Sequence, residues 1–213
     1  MIIGIDTGAG GAPDGGDEAE HVAHTVADVL GLDPQQRAQV VVSTHVVRGD
    51  IGRDAVAVTM PDHLFGDDGT ADLVSRTAAA LPAGAGVVAS RSGAEDAVTA
   101  GPDAAQATGW GAVAQAATRS AGRLVHDPGQ DRMRGRMSVA DLTAGGDIDE
   151  VRLIGSTGPV DPLTIVDTRG FVRPLWQRGM VVLVLQPAAG GMLTPFEIED
   201  PPRCCEDHRP ARI

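Results

Sequence analysis

With 213 residues, a formal net charge of −12 and no lysine, asparagine or tyrosine, the chain can bury a real core but lacks several common chemistries. All seventeen basic residues are arginine, so no lysine can serve a P-loop or a Schiff base, and no tyrosine can build a base-stacking platform. An acidic field of this size repels polyanions and argues against a nucleic-acid partner. Arg123, Arg132, Arg134 and Arg136 form the one local arginine cluster, and a solvated, salt-bridged loop is the simpler reading of them.

The chain opens on an apolar run that reads as a short buried strand over Ile2 to Ile5, delivering Asp6 and Thr7 into a glycine-rich loop. Val22, Val26, Val29 and Leu30 then share one helical face, ended by Gly31 and turned by Asp33-Pro34. The β-branched run from Gln39 to Val47 predicts a strand, Arg48 to Asp54 a turn, and the alternating Ala55 to Met60 a second strand, together a hairpin. A helix is expected over Thr70 to Leu81 and a buried strand over Ala85 to Ala89. The order β-α-β-β-α-β is that of a ferredoxin-like unit. The expected fold class is therefore α/β (α+β), with a four-stranded antiparallel sheet and two helices on one of its faces.

Ala94 to Ser120 is alanine-rich and reads as helix, broken at Gly101-Pro102 into a short and a longer piece, with Trp110 packing where helix and sheet approach. His126 to Asp131 reads as a loop, and Arg136 to Leu142 fits a strand or a short helix. From Val151 the texture changes to short strands divided by Gly and Pro: Val151 to Ile154, Leu163 to Asp167, Phe171 to Trp176, Met180 to Leu185 and Met192 to Ile198. These predict a small antiparallel barrel or open sheet. The expected organisation is an α+β domain with its helical extension over 1–145, a β-rich part over 146–200 and a tail over 201–213. The longest apolar stretch, Met180 to Leu185, is far below the ~20 residues of a spanning helix, and no signal-peptide pattern is seen. These features predict a soluble cytoplasmic protein.

Asp6 with Arg48, Asp50 and Asp54 is the first constellation that could carry chemistry. If strand register brings the end of the first strand to the hairpin, carboxylates for a divalent ion and an arginine for a phosphate line one edge. Otherwise Arg48 and Asp50 pair across their own turn, and Asp6 caps its own backbone. Ser90-Arg91-Ser92-Gly93, between a strand and a helix, offers either an anion site at a helix N-terminus or a plain cap by Ser92. Cys204, Cys205 and His208 lack C-x-x-C spacing and a second half-site, which argues against zinc there, and His21 and His24 read as exposed side chains.

MIIGID with its glycine loop, then VVRGDIGRDAVAV, AGVVASR and HDPGQDRMRGRMSVADL, resembles in order and spacing the front part of the archaeal agmatinylcytidine synthetase for isoleucine tRNA. Asp6 and Thr7 answer to the start of that family's acidic motif, where Gly8, Ala9 and Gly10 stand in place of further carboxylates. Arg48 and Gly49 match its Thr-Arg-Gly-Asn turn, with Asp50 in place of Asn, and Gly135 falls in its late glycine segment. The resemblance implies an ATP- and magnesium-dependent phosphoryl or nucleotidyl transferase acting on a small molecule. Asp6 and Asp50 would hold the metal, and Arg48 would clamp a phosphate. Thr7, Gly8, Gly49, Ser90, Ser92 and Gly93 would contact the nucleotide. The alternative is a non-catalytic ligand-binding or homo-oligomeric assembly module, a homodimer paired through sheet edges, with a degenerate site.

Overall fold

Strict alternation along the first strand sets the architecture. β1 (Ile2–Gly10) buries Ile3 and Ile5 on one face of a sheet and turns Gly4 and Asp6 to the other. The computed structural model describes residues 1–10, 15–49, 52–64, 69–91 and 97–199. Within them α1 (Gly15–Val29), α2 (Pro34–Arg37), β2 (Val41–Val47), β3 (Arg53–Thr59), α3 (Gly69–Ala80) and β4 (Gly86–Ser90) follow in order. The strands lie side by side as β4-β1-β3-β2, every neighbouring pair antiparallel.

One core forms where Ile3, Ile5, Val56 and Val58 meet Val22 and Val26 of α1 and Leu73 and Val74 of α3. Each such side chain, fully buried, contributes roughly 1.5–3 kcal/mol of transfer free energy. The other face is covered by α4 (Asp103–Thr118), whose buried positions Ala105, Thr108, Gly109, Ala112, Val113 and Ala116 repeat at helical spacing. These are small residues, so backbone can approach backbone: a Cβ on Gly4 would sit 2.1 Å from the Gly109 carbonyl oxygen. Gly109, rather than its neighbour Trp110, makes the close approach that the sequence predicts here. Asp33-Pro34 does more than turn the chain. Asp33 accepts from the backbone N–H groups of Gln35 and Gln36, and Gln36 answers with its side chain, a complete capping box that opens α2.

The sheet continues at both edges. β5 (Val98–Ala100) adds to β4, so the segment expected to be a short helix before Gly101-Pro102 is a strand where it is described. A strand missed in the sequence, β6 (Ala121–His126), adds to β2. β7 (Arg136–Ser138) and α5 (Val139–Ala144) divide between them the segment that fits either a strand or a short helix. Then come β8 (Glu150–Leu153), β9 (Ile165–Asp167), β10 (Leu175–Gln177), β11 (Met180–Pro187) and β12 (Leu193–Pro195). Hydrogen bonding runs unbroken through β6-β10-β11-β12-β9-β7, with β8 beside β11. The whole is a mixed α/β fold on one large, mostly antiparallel sheet. The late strands depart from the antiparallel expectation: β8 pairs β11 and β9 pairs β12 in parallel. Among the described residues no helix is long and apolar enough to cross a membrane.

Candidate functional site

Register decides which of the expected residues meet. In β1–β3 Asp6 lies opposite Ala55, and in β2–β3 Val47 lies opposite Arg53, so the C-terminal end of β1 and the β2–β3 hairpin share one edge. Asp6 is fully buried there, and its partner is Arg53. One Arg53 Nη2 donates to Asp6 Oδ1 at 3.1 Å and lies 2.9 Å from Oδ2. Oδ1 also accepts the Gly8 N–H at 2.8 Å, which closes a turn at a residue with φ of 78°. Oδ2 faces Arg53 off the hydrogen-bonding direction, and neither it nor Arg53 Nε has a hydrogen-bond partner among the described residues. Thr7, also buried, donates its hydroxyl to the Asp54 carbonyl at 3.2 Å and ties this corner to the hairpin.

Arg48 and Gly49 are exposed at the hairpin end, and Arg48 makes no ion pair among the described residues. Ser90 is elsewhere. It opposes Ile2, four residues along β1 from the Asp6–Gly86 pair and so roughly 13 Å away at the usual strand rise. Asp50, Ser92, Gly93, Cys204, Cys205 and His208 lie outside the described residues. No group of three or more His, Cys, Asp or Glu that could hold a metal occurs among the described residues. His21 and His24 are both exposed on α1. The four clustered arginines all pair with carboxylates: Arg123 with Glu20 and Glu197, Arg132 with Asp147, Arg134 with Asp131 and Arg136 with Asp167.

Beside the hairpin the sheet opens into a cleft. β2 and β6 pair from Val42 to Thr44 and go no further, while Ala121 and Gly122, at the start of β6, keep their pairing with Gln177 and Trp176 of β10 on the opposite edge. The gap holds a cavity of about 820 Å³, within the range of small-molecule sites. Its walls include His45, Trp176 and Gln115, and its rim carries Arg48, Asp54 and Arg123. Arg123 is already engaged by two glutamates, which leaves Arg48 as the rim cation without an ion pair among the described residues.

His45 is the most constrained polar group of this wall. Its Nδ1 lies 3.0 Å from Gln115 Oε1 and its Nε2 2.8 Å from Ser43 Oγ, while Gln115 donates its amide to the Val46 carbonyl at 3.3 Å. Those partners fix the tautomer: Nδ1–H donates to Gln115, and Nε2 accepts from the Ser43 hydroxyl. Burial lowers the pKa to about 4, against weaker opposing hydrogen bonds from Gln115 and the Ala121 backbone, so the ring is neutral at pH 7. The Trp176 ring lies 6.3 Å away, tilted by 45°. A serine, a neutral histidine and an orienting amide follow the order of a nucleophilic relay. Ser43, however, is fully buried and does not line the cleft, so the chain of bonds braces the wall. Sequence reading missed this trio; its signal was two polar residues, Ser43 and His45, at the buried parity of an otherwise β-branched strand.

No family model, curated protein or solved structure matches this chain.

Proposed function

We propose that the chain is a binding protein for a small nucleotide-like anion, seated in the cleft between β2 and β6. The observation that carries this is a rim cation with no ion pair among the described residues, beside a cleft lined in part by an aromatic residue. Arg48 stands at the rim of a cavity large enough for a nucleotide, and Trp176, largely buried, is among its lining residues. The braced, neutral His45 supports a preformed site. The succession of elements in strand order β4-β1-β3-β2 favours a ferredoxin-like reading of the front part, a unit that hosts binding and catalysis alike.

The second reading is the ATP- and magnesium-dependent phosphoryl or nucleotidyl transferase that the resemblance implies. It draws support from Asp6 Oδ2, a buried carboxylate oxygen with no described hydrogen-bond donor on the same sheet edge as Arg48. Under this reading Arg53 releases Asp6 to magnesium.

Calorimetric titration with ATP, with and without magnesium, tests both. In the binding reading ATP binds without magnesium, and Arg48→Ala weakens it about tenfold, the loss of one charge-assisted contact. ATP at a hundred times its dissociation constant should also stabilise the fold by roughly 2.7 kcal/mol. Failure of every nucleotide to bind overturns both readings. ATP turnover that needs magnesium and is lost in Asp6→Asn, with the fold retained, would favour the transferase.

A further inference from the structure

We infer that a second site, separate from the cleft, lies at the other end of β2 and takes a small monocarboxylic acid by its apolar end. Between α1, α2, β2 and β6 there is a cavity of about 160 Å³. Its floor is aliphatic: Leu30, Leu32, Val40 and Val42, with Ala23, all buried. Native cores leave few voids larger than a water molecule, and an apolar void of about 150 Å³ has room for a benzene-sized body. Such a floor holds no polar group to anchor a bound water and suits a ring or a branched aliphatic group.

The mouth has the opposite character. His24, Arg37 and His126 converge on it, three cationic or cation-forming side chains in a chain whose net charge is −12. Two of them are set in place. Arg37 donates Nε to the Leu32 carbonyl at 3.2 Å, and His126 Nε2 lies 3.1 Å from the Arg37 carbonyl, to which it donates. The facing carboxylate, Asp28, reaches the Arg37 guanidinium only at 3.5 Å. Arg37 therefore keeps donor capacity for a second carboxylate, and a ligand that carries one completes the rim while its body fills the void. An amine would be repelled, and a long acyl chain exceeds the volume.

Titration calorimetry of the full chain with benzoate, and with benzamide as its uncharged counterpart, tests this site. Benzoate is expected to bind one to one and benzamide at least about tenfold more weakly, the charged contact being lost. Arg37→Gln, at an exposed position, should weaken benzoate by a similar factor without shifting the thermal midpoint, and Ala23→Leu, which fills the void, should abolish binding. Arg48→Ala should leave benzoate affinity unchanged. Absence of benzoate binding, equal affinity for benzamide, indifference to Arg37→Gln, or loss in Arg48→Ala would each overturn the assignment. Arg37→Gln and the benzamide comparison decide the matter if Ala23→Leu does not fold.

Discussion

Protonating His45 inside the fold means charging an imidazole that has given up its water. Unfolded, the ring titrates near 6.5; folded, at about 4. Between those values the unfolded chain holds the additional proton, so this contribution to stability is complete above pH 6.5 and is lost as the pH falls toward 4. The loss amounts to up to about 3 kcal/mol, since each tenfold drop in proton affinity on folding is worth about 1.4 kcal/mol. Urea unfolding of wild type and His45→Gln between pH 7 and 4.5 should show the steeper acid loss in wild type; equal slopes would contradict it. Asp6 makes a different prediction. Removing its carboxylate leaves Arg53 half-buried without its counter-charge and the Gly8 N–H without its acceptor. Asp6→Ala should therefore cost about 3 kcal/mol, read as a lowered denaturation midpoint with unchanged slope. A variant as stable as wild type would mean that the pair is not structural and would return Asp6 to the metal reading.

At the scale of elements, α4 lies against the sheet through absent side chains. A Cβ at Gly4 would meet the backbone oxygen of Gly109 at 2.1 Å, and backbone on both sides cannot yield; a Cβ at Gly111 would meet Val47 Cγ1 at 2.4 Å with Val47 Cβ at 3.3 Å, a contact that a change of the valine rotamer relieves only in part. Gly4→Ala should cost about 3 kcal/mol and Gly111→Ala clearly less, about 1 to 2 kcal/mol, both measurable by chemical denaturation. Equal costs would place the tight contact elsewhere. Legibility in the sequence follows a similar division. β1 to β4 and α3 are readable because apolar parity and helical spacing are local, and all lie within two residues of where the sequence places them except at the end of β1, which runs on to Gly10 through the segment expected to be a loop. β6 is not, since AGRLVH carries glycine and arginine and becomes a strand by pairing with β2 and β10. The residues Asp6, Arg48 and Gly49 are legible as candidates, and their common edge follows from a register between strands 47 residues apart. The cleft and its Ser43–His45–Gln115 brace are not legible, because they arise where the long-range pairing of β2 with β6 stops at Thr44 and Arg123 while β6 stays paired to β10. No local pattern encodes where a pairing between strands so far apart in sequence ends.

The molecule as a whole sets twenty-nine acidic against seventeen arginine side chains, and its charges divide by burial. Near the middle of the sheet Glu20 of α1 bridges Arg123 of β6 and Arg173, and Arg123 also holds Glu197 at 2.5 Å, so four residues distant in sequence join α1, β6 and the late segments. Arg173 is only 10% exposed, and its guanidinium carbon sits 4.9 Å from the centre of the Phe171 ring, largely out of reach of counter-ions. Among the described residues Asp28, Asp33, Asp72, Asp103, Asp131 and Asp161 are exposed to water, where like charges repel and salt screens. These two populations should respond differently to ionic strength. Between 0.1 M and 1 M the screening length falls from about 10 Å to about 3 Å, which relieves the surface repulsion. The thermal midpoint of the wild type should therefore rise with sodium chloride. Glu20→Gln should lower it by the equivalent of about 2 kcal/mol at both salt concentrations, because a partly buried network is screened far less than exposed pairs. If added salt lowered the wild-type midpoint, ion pairs rather than repulsion would dominate the surface. If it erased the Glu20→Gln deficit, the four-residue network would be a solvated one, and the joining of α1 to the far half of the sheet would rest on apolar packing alone.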